Sequence, residues 1–252
     1  MKAYEQLANV YDHLMKDMPY EKWVHFAMQV WSQHSLPQTV VELGCGTGNI
    51  SIPLAENGLK VTGIDISSSM LTIANEKARQ QSLTGTLQWV QQDMVHWQVE
   101  EQVDSVISFC DSMNYVLHDH DVQQMIQHSA TALRDGGTFI FDLHHPQQLK
   151  SYFDHQPYYV DEDDVAYIWT CDWDDESQQI DHFLTLFIKE QHQPSEHLFR
   201  RFEEHHAQRS YDPQWIKEQL LTAGFRKVHI YGDFEFEPYH EKTQRLFFVA
   251  VK

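Results

Sequence analysis

Apolar residues recur at helical spacing from the start of the chain. Leu7, Val10, Tyr11 and Leu14 form one stripe, and Trp23, Phe26, Ala27 and Val30 form a second. Pro19 lies between them, so residues 3 to 34 are expected as helix broken at the proline. From Pro37 the pattern changes to short, nearly continuous apolar runs: TVVEL (39–43), KVTGID (60–65), LQWVQ (87–91), VDSVISF (103–109) and GTFIFDL (137–143). Helical stretches fall between them, near 48–57, 67–81 and 119–134. Strands apolar on both faces that alternate with helices predict an α/β fold, a parallel sheet covered on both sides.

Beyond Pro146 the alternation stops. DVAYIWTCDW and QIDHFLTLFIKE flank the polar turn DDESQQ and read as a hairpin, and EHLFRRFEEHHAQRSY offers a third strand. A helix is expected from Asp212 as N-cap and Pro213 to near Gly224, followed by the closing strands RKVHIYG and TQRLFFVAVK. The expected organisation is a core formed by residues 1–146 and 211–252, interrupted by a small antiparallel β insertion over 147–210. Within it, Trp169, Trp173 and Phe183 are expected to bury one face. Arg201 and His205 would lie on the opposite face, open to a substrate. The acidic run DEDD (161–164) reads as a solvated loop.

Composition narrows the function. Against 37 Asp+Glu stand 18 Lys+Arg, a formal net charge of −19. Such a surface repels a phosphate backbone and argues against nucleic acid and anionic membranes as partners. Cys45, Cys110 and Cys171 are odd in number and widely spaced, which indicates neither a disulfide framework nor a zinc ribbon. The 17 histidines include the pairs His144/His145 and His205/His206, neither at a recognisable ligand spacing, so no metal is expected. The N-terminus lacks an apolar h-region and no run approaches a membrane span, so a cytoplasmic location is expected.

The candidate chemistry begins at VVELGCGTGNISIPLAENG (40–58), a strand that runs through a glycine loop into a helix. Gly44 and Gly46 match the first two glycines of a dinucleotide fingerprint, but position 49 is Asn and the third glycine, Gly48, comes one residue early. Asp65 ends the second strand, where a carboxylate accepts ribose hydroxyls. Glu42 sits just before the loop and argues for a cationic group nearby rather than a pyrophosphate. S-adenosylmethionine has a ribose, a sulfonium and an ammonium, and no phosphate. It fits these residues better than NAD does.

The motifs resemble those of the class I S-adenosylmethionine-dependent methyltransferases. VELGCGTG looks like their first motif, VTGIDISSSML like the second-strand acidic motif, and QQDM like the adenine-flanking motif. VDSVISFCDSMNYV is similar to their fourth-strand motif, and LRDGGTFIFDL to the helix–turn–strand after it. The resemblance covers about residues 38 to 143 and is extended by the closing helix and strands. It implies a Rossmann-like seven-stranded sheet with its final strand antiparallel, and S-adenosylhomocysteine as product. It also implies roles. Gly44, Cys45, Gly46 and Gly48 would pass the homocysteine part, and Glu42 would organise the loop. Asp65 would take the ribose, with Ile66 and Met70 against the adenine. Asp93 and the Met94 N–H would read the adenine edge, and the Phe109 and Cys110 carbonyls would meet the ammonium. The N-terminal helix would be a lid, with Tyr11 or Tyr4 reaching the ligand.

The acceptor side is less defined. Asp111, Asn114 and Tyr115 in CDSMNY lie at the rim of the implied site, without the Pro-Pro-aromatic motif of base-methylating enzymes. His144 and His145 follow the fifth strand and are candidate general bases. The expectation is in-line SN2 transfer to N or O of a small-molecule acceptor beneath the insertion. An RNA or protein methyltransferase of the same fold, and a non-catalytic cofactor-binding module, are the alternatives.

Overall fold

The computed structural model describes residues 8–190 and 198–252. Two helices come first, α1 (Ala8–Leu14) and α2 (Tyr20–Gln33), separated at Pro19 as the apolar stripes predict. Seven strands then make the main sheet: β1 (Thr39–Leu43), β2 (Lys60–Asp65), β3 (Thr86–Gln91), β4 (Val103–Ser108), β5 (Leu133–His144), β10 (Lys227–Gly232) and β11 (Arg245–Val251). Their order is β10-β11-β5-β4-β1-β2-β3, with β11 antiparallel to both its neighbours. α3 (Ser51–Glu56), α4 (Ser68–Ala78), α5 (Asp119–Ala132) and α7 (Pro213–Thr222) complete the α/β alternation.

Both faces of this sheet are buried, and the side-chain alternation divides them cleanly. Val41, Leu43, Val106, Phe139, Phe141, Leu246 and Phe248 join Val122, Ile126, Ile216 and Leu220 of α5 and α7 in one cluster. Val40, Ile107, Ile140, Phe247 and Val249 join Trp23, Phe26, Val30 and Leu54 of α2 and α3 in the other. Phe141 stacks on Phe248 at 4.8 Å between ring centroids, tying β5 to β11. The near-continuous apolar runs are thus explained: each strand feeds two cores at once.

A second, four-stranded antiparallel sheet, in the order β6-β7-β8-β9, contains β6 (Tyr158–Asp161), β7 (Val165–Asp174), β8 (Gln179–Lys189) and β9 (Phe199–Arg209). A short helix, α6 (Pro146–Asp154), leads into it; neither α6 nor β6 is visible in the periodicity. The expected inward face is corrected in part. Trp169 and Trp173 do lie on the covered side with buried Cys171, but Phe183 is exposed and stacks on exposed His205. Arg201 is likewise on the outer side, paired with Glu203, and the side chains that β9 turns inward are Phe202, Glu204, His206 and Gln208. Among the described residues no helix is long and apolar enough to cross a membrane.

Candidate active site

Chain order reverses between β1 and β4. β2 and β3 extend the sheet to one side of β1, and β4 starts the other side. The carboxyl ends of β1 and β4 therefore flank the crevice where open α/β sheets bind ligands. The glycine loop leaves β1 there, and Phe109 to Tyr115 leaves β4.

The loop is built for close approach. Gly46 has φ +53°, and a Cβ placed on it would meet nothing within 4 Å, so its backbone borders open space. Gly48 has a different role: a Cβ there would come within 2.7 Å of Trp89, so this glycine makes room for an aromatic side chain under the loop. Asp65 accepts from the N–H of Gly46 at 2.9 Å and of Ser67 at 2.8 Å. Burial raises its pKa against the pull of those backbone donors. A carboxylate has four lone-pair sites, so two such bonds leave capacity for ribose hydroxyls. Glu42 is buried and accepts from Ser51 Oγ. Burial, with the charge of Asp65 nearby, pushes its pKa up to about 8. A carboxyl with that pKa is mostly neutral at pH 7, and its hydrogen-bond partner is Ser51 at the start of α3.

At the end of β4 the backbone takes an uncommon path. Cys110 and Asp111 have φ of 56° and 55°, two consecutive non-glycine residues in the left-handed region. Conformations of this kind cost on the order of 1–3 kcal/mol each and persist only where the surroundings impose them. Here the Asp111 N–H donates to Asp142 Oδ2 at 3.1 Å, and Ser112 Oγ donates to the Phe109 carbonyl at 2.8 Å. The turn aims the Asp111 carboxylate at a polar cluster. Arg245 Nη2 reaches its Oδ1 at 3.1 Å, Gln208 Nε2 donates to Oδ2 at 2.7 Å, and His144 Nε2 lies 3.4 Å from Oδ1. Burial opposes ionisation of Asp111, but His144, Arg245 and Gln208 together hold its pKa well below the carboxylate range.

Asp142, fully buried in β5, accepts from Trp23 Nε1 at 2.9 Å and from Arg245 Nη1. Burial raises its pKa against the pull of Arg245. Arg245 lies over the Trp23 ring, 5.1 Å from its centroid, so α2 also contributes to this centre.

The second sheet continues the network. Trp169 Nε1 donates to His182 Nδ1 at 3.1 Å, which leaves the proton on His182 Nε2, 3.3 Å from Gln208 Oε1. Burial pushes His182 and His206 down to about 4, so both are neutral at pH 7. Asn114 joins the two sheets, donating to the Arg209 carbonyl at 2.8 Å and accepting from the His144 N–H at 3.0 Å.

The comparisons with known proteins agree with this geometry. Residues 40–137 match a family model described as a methyltransferase domain. A protein of Geobacillus sp. (strain WCH70) named as a methyltransferase is 33% identical, over 99% of this chain and 100% of its own. This chain belongs to the class I S-adenosylmethionine-dependent methyltransferases. A methyltransferase of that type from Clostridium acetobutylicum ATCC 824 shares the fold, with a TM-score of 0.85, 24% identity and 98% of each chain covered. A sugar N-methyltransferase from Streptoalloteichus sp. ATCC 53650 shares it with a TM-score of 0.78, 18% identity, and 96% of this chain and 92% of its own covered.

The residues of the methyltransferase motifs differ in exposure and in partners. Ile66 is 65% exposed at the rim, whereas Met70 is buried and Met94 is half-buried with its side chain against the Gly44 side of the loop. Asp93 is exposed and accepts from the Val95 N–H at 2.8 Å, so it caps its own turn. Cys45 is buried, and the Phe109 carbonyl is already engaged by Ser112. Tyr11 reaches the site. Its hydroxyl is pushed well above the tyrosine range by burial and by Tyr20, Cys110 and Tyr115 around it. Tyr4 lies outside the described residues. Tyr115 packs edge-on to His206 at 6.2 Å. His145 does not join the cluster: its Nδ1 accepts from the Gln147 N–H at 3.3 Å, capping α6.

Arg245, Asp142, Gln208 and His182 join the Asp111 cluster and are not among the residues that motif reading picked out. Asp142 did leave a signal, a carboxylate at the end of the apolar run TFIFDL, and Arg245 is a cation at the head of the apolar strand β11.

Proposed function

We propose that this methyltransferase transfers the S-adenosylmethionine methyl to a nitrogen or oxygen of a small molecule held between the carboxyl end of β4 and the underside of the second sheet. The observation that carries this reading is the composition of that underside. A sheet covering an ordinary core would turn apolar residues inward. Beside apolar Ile180, Leu186 and Phe202, this one also buries His182, Glu204, His206 and Gln208, and Gln208 reaches Asp111 and His206 meets Tyr115 at the end of β4. The sugar N-methyltransferase of like fold acts on a small molecule, in keeping with it.

The residues present fit the cofactor. Gly46 opens space beside the backbone, Asp65 retains acceptor capacity for the ribose, and exposed Ile66 offers an apolar surface for the adenine. Asp93 and Met94 follow β3 and would read the adenine edge, and the Cys110 carbonyl at the end of β4, near Tyr11, would meet the ammonium. When bound, the cofactor supplies an electrophilic methyl on a sulfonium. The chain's own work is to align the acceptor for in-line displacement and to exclude water, and positioning of this kind supplies much of the rate.

Two measurements test the reading. S-adenosylhomocysteine at saturating concentration raises the melting temperature by mass action, and NAD does not. Methyl-labelled S-adenosylmethionine, incubated with total extract of the source cell, places label in the small-molecule fraction. Label confined to protein or RNA would refute the proposed acceptor class.

A further inference from the structure

The Asp111 cluster carries a charge and proton arrangement that the methyl transfer itself does not need. With the His144 imidazole neutral, the cluster's charges are Asp111 and Asp142 against Arg245, an excess of one negative charge in a largely buried place. His144 stands at the edge of it, 7% exposed, with Nε2 toward Asp111 and Nδ1 buried without a hydrogen-bond partner among the described residues. A buried imidazole nitrogen left unmatched costs free energy, and such an atom calls for a partner that arrives with the ligand. The groups around His144 are Asp111 from the β4 end, Arg245 from β11, Tyr152 from α6 and His182 from β8. The Tyr152 ring meets His144 at 5.7 Å and Trp169 at 5.3 Å, so an aromatic wall stands beside the negative charge. Aromatic faces and excess negative charge together select a cation.

Resting on the small-molecule reading above, we propose that the acceptor is an amine that enters as its ammonium ion and gives a proton to His144 Nδ1. Asp111, fixed by Arg245 and Gln208, holds the imidazole through Nε2. The ammonium neutralises the excess charge on entry. Its N–H bond then breaks, an N–H bond forms at Nδ1, and the electron pair stays on the acceptor nitrogen. The positive charge moves to the imidazolium, against Asp111, so the cluster stays balanced. That pair forms the N–CH3 bond as the S–CH3 bond breaks with its electrons going to sulfur. The net result is the methylated ammonium ion, S-adenosylhomocysteine and one proton, which His144 passes to solvent. His144 is the catalytic residue; Asp111, Arg245 and Gln208 are positioning residues.

The first test needs no acceptor. 15N-histidine NMR of the full chain, with the His144 signals assigned by their loss in His144→Gln, is expected to show the neutral ring as the Nε2–H tautomer with Nδ1 bare. The Nδ1–H tautomer would overturn the proposal. The second test locates the label from methyl-labelled S-adenosylmethionine in the product formed from cell extract. Nitrogen is expected. Oxygen or carbon would overturn the amine and leave the small-molecule reading standing, whereas label in macromolecules would overturn both.

On the identified acceptor, His144→Gln is expected to lower turnover about 100-fold at neutral pH. The deficit should shrink as pH rises through the acceptor's own pKa, because solvent then does the deprotonation. Affinity for S-adenosylhomocysteine should stay within about twofold of wild type, which also reports a folded site. Gln208→Leu, which removes one donor from Asp111 without touching the imidazole, is expected to lower kcat about tenfold with KM for S-adenosylmethionine unchanged. A pH-independent deficit in His144→Gln, or none, would overturn the role of His144.

Discussion

Glu42 shows how burial decides the behaviour of one residue. Its folded pKa of about 8 lies above the ordinary carboxylate value of 4.5, chiefly because the group is buried. Between those two values the folded chain holds a proton that the unfolded chain has released. Its contribution to stability is therefore complete below pH 4.5 and lost as pH rises through 8. A displacement of that size corresponds to about 4–5 kcal/mol at most. Glu42→Gln is neutral at every pH and escapes this loss. Urea denaturation should find the variant no more stable than wild type at pH 5 and more stable by a few kcal/mol at pH 8.5. Parallel stability profiles would show that Glu42 is already ionised in the folded chain. The position of Glu42 beside the glycine loop was legible in the sequence. Its protonation was not, because that depends on Ser51 and on burial. Asp142 and Arg245 lie 103 residues apart and meet only because β5 pairs with β11. A buried ion pair between strands distant in sequence has no local spacing to read, although Asp142 interrupts one apolar run and Arg245 heads another.

Among the elements, α1 is the one whose anchoring carries functional weight. Asp12 accepts from Thr47 Oγ1 at 2.7 Å and Asn49 Nδ2 at 3.0 Å, and pairs with Lys77 at 2.7 Å. Asn49, which spoils the dinucleotide fingerprint, thus joins Thr47 in tying the helix to the loop. On the other side, His13 and Lys16 reach Glu162 at 3.0 Å each, so the expected solvated DEDD run includes a contact to α1. Val10, Tyr11 and Leu14 pack against Leu186 and Phe202 of the second sheet. The helix spans the cofactor loop and the second sheet, so loosening it should weaken ligand binding without unfolding the core. The ion pair is partly exposed, which limits its worth. Asp12→Ala is expected to weaken S-adenosylhomocysteine binding about three- to tenfold by calorimetry. The melting temperature of the free protein should move little, and amide exchange should rise over residues 8–16. Unchanged affinity would mean that α1 packs on the loop without covering the ligand. The core strands were readable as apolar runs buried on both faces, and the resemblance supplied the seven-stranded sheet with its antiparallel last strand; the order of the strands has no local signal in the sequence. The facing of β9 was not readable either. In FRRFEEHHAQR both alternating faces are polar, so the pattern leaves its register open, and a one-residue slip exchanges Arg201 and His205 for Glu204 and His206.

For the molecule as a whole, the question is what the −19 charge permits it to touch. The sum alone does not decide, since a local basic stripe on an acidic protein can still bind a polyanion. The distribution of cations is more telling. Among the described residues, nine lysines and arginines form salt bridges within the chain. These include Arg200 and Arg201, the densest basic pair of the second sheet, held by Glu190 and Glu203. The other dense stretch, RKVH at 226–229, enters β10 at the sheet edge, beside the end of α7 and away from the carboxyl ends of β1 and β4. To bind RNA the chain would have to break internal pairs and bring phosphates onto an acidic surface. Counterion release, which drives such binding, scales with the number of phosphates neutralised. The expected dissociation constant for total cellular RNA at physiological salt is therefore weaker than about 10⁻⁴ M, the loose end of non-specific binding. A fluorescence titration at about 50 and 150 mM salt checks this, run beside a label-transfer assay on the same RNA. Micromolar binding that falls steeply with salt, together with label in the RNA, would reverse the assignment of the acceptor. The surface under the second sheet would then have to be read as a nucleotide pocket.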